Sequence, residues 1–234
     1  MLTKYAEAIS KFKAEPATIL YLDTCFLLDI IRTPIRENIT TNSIPYAKLL
    51  IELASTTPKS LWLVTSNIVK QEWLEHVDET VKEAELDIVK SELKRQRILT
   101  IAKAITDADY IHGQDNRRVN LPQKLKSLSE AVLNKCIIIP PEDAHHLSAM
   151  KRVMNYLPPS QRGKSEPKDC MIYELFLSIC NDLNSLSFDF IFASSNTQDY
   201  GEKNNGGIGS ELSQFNARYA NNWDLAYAIL ERRT

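Results

Sequence analysis

"ILYLDTCFLLDIIR" (residues 19–32) starts as an unbroken apolar run and then sets a carboxylate, Asp23, where the pattern is most hydrophobic. Continuous apolar residues suit a strand covered on both faces, and the spacing after Asp23 suits a helix. An acid at that junction either caps the helix or holds something positive. Two further segments read as buried strands, "LWLVTS" (61–66) and "FDFIFAS" (188–194), and "KCIIIP" (135–140) is a weaker candidate closed by Pro140 and Pro141. Strands separated by helical patterns predict a parallel sheet with helices on both faces, an α/β architecture of Rossmann-like type. The C-terminal strand ends then share one edge, where open α/β sheets form their ligand crevice.

The 234 residues suit one compact domain with an insertion, and 44% hydrophobic content is enough for a proper core. Four cysteines at irregular spacing, Cys25, Cys136, Cys170 and Cys180, predict buried reduced thiols without disulfides or structural zinc. No apolar run approaches the roughly 20 residues that span a bilayer, and "MLTKYAEAISKFKAEP" (1–16) reads as an amphipathic helix without a signal peptide's apolar centre. A soluble, cytoplasmic protein is expected. A net charge of −2 argues against a protein that coats nucleic acid, yet does not exclude a nuclease. Four acids gathered around cations would leave 26 against 28 basic residues on the rest of the surface.

The stretch from about Asp78 to Asp109 is charged, poor in Gly and Pro, and apolar at helical spacings, so long helices are predicted there. Residues 113–127, with Asn116, Asn120 and Pro122, read as a loop, and "GEKNNGGIG" (201–209) reads as a flexible surface loop. The region of about 78–165 is expected to be a helical insertion.

Four carboxylates fall at the predicted crevice edge. Asp23 ends the first strand. Glu72, in "TSNIVKQEWLEH" (65–76), follows a cap at Thr65 or Ser66 and shares a helix face with Ile68 and Val69. Asp169, in "SEPKDCMIYELFLSIC" (165–180), continues the stripe of Ile172 and Phe176 beyond a Pro167 suited to the first turn. Asp199 follows the last strand by a short loop, with Ser194, Ser195 and Asn196 beside it. Each has a plainer reading: helix cap, exposed helix residue, first-turn acid on the helix dipole, turn residue. Two carboxylates about 5 Å apart repel by roughly 3 kcal/mol at an effective dielectric near 20, so four together need neutralising. Raised pKa values are one remedy. An oxygen-only donor set, without His or Cys, favours Mg²⁺ or Mn²⁺, and ions so held support hydrolysis of a nucleic acid backbone.

"LYLDTCFLLDIIR" (20–32), "VTSNIVKQEW" (64–73), "KSEPKDCMIYELF" (164–176) and "IFASSNTQDY" (191–200) resemble, in order, the four motifs of the PIN domain, over about residues 17–200. The resemblance implies an α/β/α sandwich nuclease that uses acids and Mg²⁺ or Mn²⁺ to cleave single-stranded RNA, as the toxins of bacterial toxin–antitoxin pairs do. Its catalytic and metal-holding acids fall on Asp23, Glu72, Asp169 and Asp199, with Thr24 and Asn196 in support. The partners it implies are an RNA substrate, an antitoxin covering the acidic cleft and a second copy of the chain, with no membrane. Small PIN toxins lack anything like the 80–165 region, so substrate choice and partner are not inherited from them.

Arg162, Lys164 and Lys168 lead into Asp169 and are expected to guide a phosphate backbone into the site. Asp29 and Glu174 share no helical face with Asp23 and Asp169 respectively and are expected at the surface. His76, His145 and His146 form no recognised metal motif and read as surface or core histidines. Three rivals remain. A dehalogenase-type phosphatase needs an acid two residues after its nucleophile, where Cys25 stands; a nucleotide binder needs a Gly-rich loop after the first strand, and there is none. The third is a catalytically idle PIN fold that binds RNA or protein.

Overall fold

The computed structural model describes residues 2–106, 113, 115–184, 189–201 and 207–231. Helix α1 (Tyr5–Ala14) precedes strand β1 (Thr18–Leu22), followed by α2 (Thr24–Arg32), α3 (Ser43–Leu53) and β2 (Leu61–Ser66). Helix α4 (Asn67–Thr106) leads through a 3₁₀ turn (Asn116–Val119) to α5 (Leu121–Lys135), β3 (Ile137–Ile139), α6 (Asp143–Met154) and α7 (Pro167–Leu183). The chain ends with β4 (Phe190–Ala193), the short helices α8 (Thr197–Tyr200) and α9 (Gly209–Leu212), β5 (Ala217–Ala220) and α10 (Trp223–Glu231). The strands form one parallel sheet in the order β3-β2-β1-β4-β5. Helices α2, α3, α4 and α5 pack together, with α10 on α3, while α1, α6 and α7 form a second group, giving an α/β/α sandwich.

The sheet is built from residues with little alternative. β1 and β4 are buried almost throughout, which only a strand covered on both faces allows. Tyr21, Tyr173, Phe176, Phe192 and Tyr200 interlock between sheet and helices, with centroids 4.9–6.5 Å apart along the chain of ring contacts. On the other face Trp73 Nε1 donates to Ser129 Oγ (2.9 Å), which donates to the Leu27 carbonyl (2.8 Å), joining α4, α5 and α2 without an orphaned polar atom. Thr65 Oγ1 bonds the Leu22 carbonyl at 2.7 Å and so holds the end of β2 against the end of β1.

From β1 the chain builds outward to β3, then crosses to the other side of β1 to lay down β4. The order reverses between β1 and β4, the switch point beyond whose C-terminal strand ends open α/β sheets place their ligand crevice. Asp23 and Ser194 follow immediately.

Some boundaries differ from those read in the sequence. Residues 113–127 are not one loop: Asn120, at φ 52, turns the chain, and Pro122 lies in the first turn of α5, where no N–H is required. "KCIIIP" supplies the edge strand β3. The charged stretch begun at Asp78 belongs to the single 40-residue helix α4, and 107–109 lie outside the described residues. Phe188 of the third strand segment also lies outside them, as do 202–206 of the glycine-rich segment, whose Gly209 begins α9. Gly207, at φ +72, presses so closely on Tyr200 that a Cβ would stand 2.2 Å from the Tyr200 carbonyl oxygen.

Candidate active site

Asp23 occupies the N-cap position of α2 but makes no capping hydrogen bond with its side chain. Its backbone N–H extends the sheet by bonding the Ala193 carbonyl (3.0 Å), and this aims the side chain over the strand ends. Oδ2 accepts from Ser194 Oγ (2.7 Å) and Cys25 Sγ (3.1 Å), and Asp23 is only 4% exposed. Burial pushes its carboxyl above the ordinary value, and the charge of Glu72 adds to the rise. The cap reading therefore fails for the side chain.

Glu72 lies in the second turn of α4, a helix started by Ser66, whose Oγ accepts from the Val69 N–H (3.1 Å). Val69, Trp73 and Val77 are buried, so Glu72 emerges at the border of the core stripe. Thr24 Oγ1 donates to its Oε2 at 2.6 Å, and Lys168 Nζ lies 3.5 Å from its Oε1. Asp169 stands in the first turn of α7, after Pro167. The loop beyond β4 reaches it through Asn196, whose Nδ2 donates to Asp169 Oδ2 (3.3 Å) and Asp199 Oδ2 (2.8 Å). Lys164 donates to the other oxygen of Asp199 and lies 3.2 Å from Glu166.

The four acids thus come from four separate segments and act on one another. The Asp169 carboxyl is pushed up to about 8, first by burial and then by the charges of Asp23, Glu72, Glu166 and Asp199. Thr24 and Asn196 are in hydrogen-bonding contact with acids of the cluster. Of the three basic residues expected to meet phosphate, Lys164 and Lys168 are ion-paired within the cluster, and Arg162 is exposed. Among the described residues, no three His, Cys, Asp or Glu side chains stand as a ready-made cage for an ion. Two lysines and an asparagine amide occupy the carboxylate oxygens instead.

The chemistry of the donors still discriminates among ions. Burial raises the Cys25 thiol well above its ordinary value, so it stays a neutral donor to Asp23 and offers no thiolate. What remains is carboxylate oxygen, and that suits a hard divalent ion.

Two residues were placed wrongly by the sequence. Asp29, expected at the surface, is 4% exposed, with Arg32 NH1 3.7 Å from its carboxylate. Spacing from Asp23 concealed this; measured from Cys25 it is i, i+4, one helix face. Glu174 is half-buried and accepts from Arg152 Nε at 2.7 Å. Cys25 as a donor to Asp23 had no signal in the sequence beyond its position.

In comparison with known proteins, a family model described as PIN domain matches residues 20–200. No curated protein matches the chain, and no solved structure does.

Proposed function

The chain belongs to the PIN-domain family, and on that premise we propose that it is a metal-dependent endoribonuclease hydrolysing phosphodiester bonds of single-stranded RNA. PIN domains are generally nucleases, and the observation that carries the reading here is the gathering of Asp23, Glu72, Asp169 and Asp199 at the switch point of the sheet, with Thr24 on Glu72, Asn196 bridging Asp169 and Asp199, and the Asp23 and Asp169 carboxyls pushed upward. Like charges gathered where water is partly excluded are costly for folding and useful around a cation.

In this reading the four acids hold one or two Mg²⁺ or Mn²⁺ ions. Such an ion, when bound, polarises the phosphoryl oxygens and lowers the pKa of water into the neutral range. Ser194 and Cys25 fix the orientation of Asp23, and Thr24 fixes Glu72. Asn196 ties Asp169 to Asp199. Lys164 and Lys168 neutralise the acids while no cation is bound and, once released, face the phosphate backbone together with Arg162. A role as the toxin of a toxin–antitoxin pair, cytoplasmic and paired as a homodimer, would follow from the family's toxin members. No helix among the described residues is long and apolar enough to cross a membrane.

The lack of a ready-made ion cage favours a second reading, an idle fold that binds RNA or protein. One experiment separates the two. Purified protein is incubated with mixed single-stranded RNA and DNA in Mg²⁺, Mn²⁺ or EDTA, beside Asp23→Asn. Cleavage of RNA that needs the metal and disappears in the variant is expected; retention of RNA without cleavage in either metal selects the binding module.

A further inference from the structure

Ser194, Ser195 and Asn196 leave β4 in an alternating pattern. Ser194 and Asn196 bond acids of the cluster, while Ser195, between them, lines a neighbouring cavity of about 270 Å³ together with Asp29. Asn38, from the segment between α2 and α3, lines it too, with Asn221, Trp223 and Asp224 at the end of β5 and the start of α10. Trp223 is 2% exposed, and its Nε1–H has no acceptor among the described residues. One face of its ring is stacked on Phe26 at 4.3 Å.

From this we propose that the cavity is a base-reading subsite, holding one nucleobase of the strand whose backbone crosses the four acids. The inference rests on the nuclease reading for the strand, but its chemistry stands on the cavity. A buried N–H without an acceptor calls for a ligand acceptor, and two carboxylates call for ligand donors. A phosphate only accepts and would face Asp29 and Asp224; a base edge does both. A metal ion is disfavoured because Arg32 and Arg36 already act on Asp29. Ligand cavities run from roughly 300 to 1,000 Å³, so this one, just below that range, has room for no more than a single flat heterocycle. Its partition from the acids is one residue, Ser195, as a base splayed beside its own backbone requires.

The test uses ¹⁵N-labelled full chain in EDTA, titrated with GMP, AMP, CMP, UMP and ribose 5-phosphate. The indole N–H signal of Trp223 is assigned through Trp223→Phe. At least one nucleotide should shift that signal saturably, more than ribose 5-phosphate does, and Asn221→Ala should weaken the binding severalfold. Asp29→Asn, if it folds, should change the ranking of the four nucleotides. No shift with any nucleotide up to about 10 mM, or an equal shift with ribose 5-phosphate, would overturn the subsite. Cleavage mapping on random single-stranded RNA gives the second readout: one position beside the cut should show a base preference that Asn221→Ala flattens, and a flat profile in the parent chain counts against the site. If RNA is not cleaved at all, the nuclease reading fails while the indole titration still decides the subsite.

Discussion

Two covered carboxylates in this chain have opposite fates. Glu92, on the distal half of α4, is 2% exposed, yet Arg95 grips both its oxygens and Asn116 adds a hydrogen bond at 3.4 Å. Its carboxyl is held below the usual range by Arg95. Asp23 is 4% exposed, is met by Ser194, Cys25 and the Thr24 backbone with no cationic partner among the described residues, and is pushed upward by burial. A buried acid that serves the fold brings its cation with it. One left without a matched cation marks a place prepared for something from outside.

The sharpest way to break that contrast is to neutralise each acid in turn. Asp23→Asn should lower RNA cleavage by at least about a hundredfold, the scale seen when one charge-stabilising group is lost, while the metal-free protein keeps or gains thermal stability. Glu92→Gln should do the reverse, lowering the Tm with cleavage intact. Parallel melting curves and RNA assays check this, and a Tm loss for Asp23→Asn would remove the distinction.

A smaller effect concerns pH. Asp169 moves from an unfolded value near 3.8 to about 8 in the fold, so it binds its proton more tightly when folded. Its favourable contribution is complete below pH 3.8 and is lost as pH rises through about 8. In EDTA, melting temperature should therefore fall between about pH 4 and pH 8 and level off above that. Mn²⁺ or Mg²⁺ at a hundred times its Kd should restore about 2.7 kcal/mol at pH 8 by mass action. A flat pH profile in EDTA would place Asp169 outside the strained set.

The smallest effect should come from Lys164→Ala. Removing the ammonium from Asp199 lowers the stability of the metal-free protein slightly and tightens Mn²⁺ binding, because the ion no longer displaces a resident charge. Calorimetric titration reads it directly; weaker binding in the variant would show that Lys164 supports the ion instead of competing with it.

The sequence was most legible where one signal dominated. β1, β2 and most of β4 follow from apolar runs, and the gathering of four acids follows from parallel strands ending at one edge. β5, "ARYA" (217–220), is four residues long, carries a charged Arg218 and lies at the sheet edge, so periodicity had little to work with. α3 and α10 went unread. Asn120 and Pro122 were taken as breakers when they start α5, because the same residues end and begin helices. Side-chain contacts across the fold, such as Cys25 with Ser194 (3.2 Å) or Lys164 with Asp199, depend on three-dimensional approach that no local pattern encodes.

The alternation of Ser194, Ser195 and Asn196 imposes a constraint of length more than of composition. Adding or deleting one residue between β4 and α8 would turn the middle hydroxyl toward the acids and carry its neighbours away, with every strand still in register. Replacing one of these side chains loses one contact, whereas a change in the spacing misplaces all three at once, and the chain has no freedom to reset that gauge.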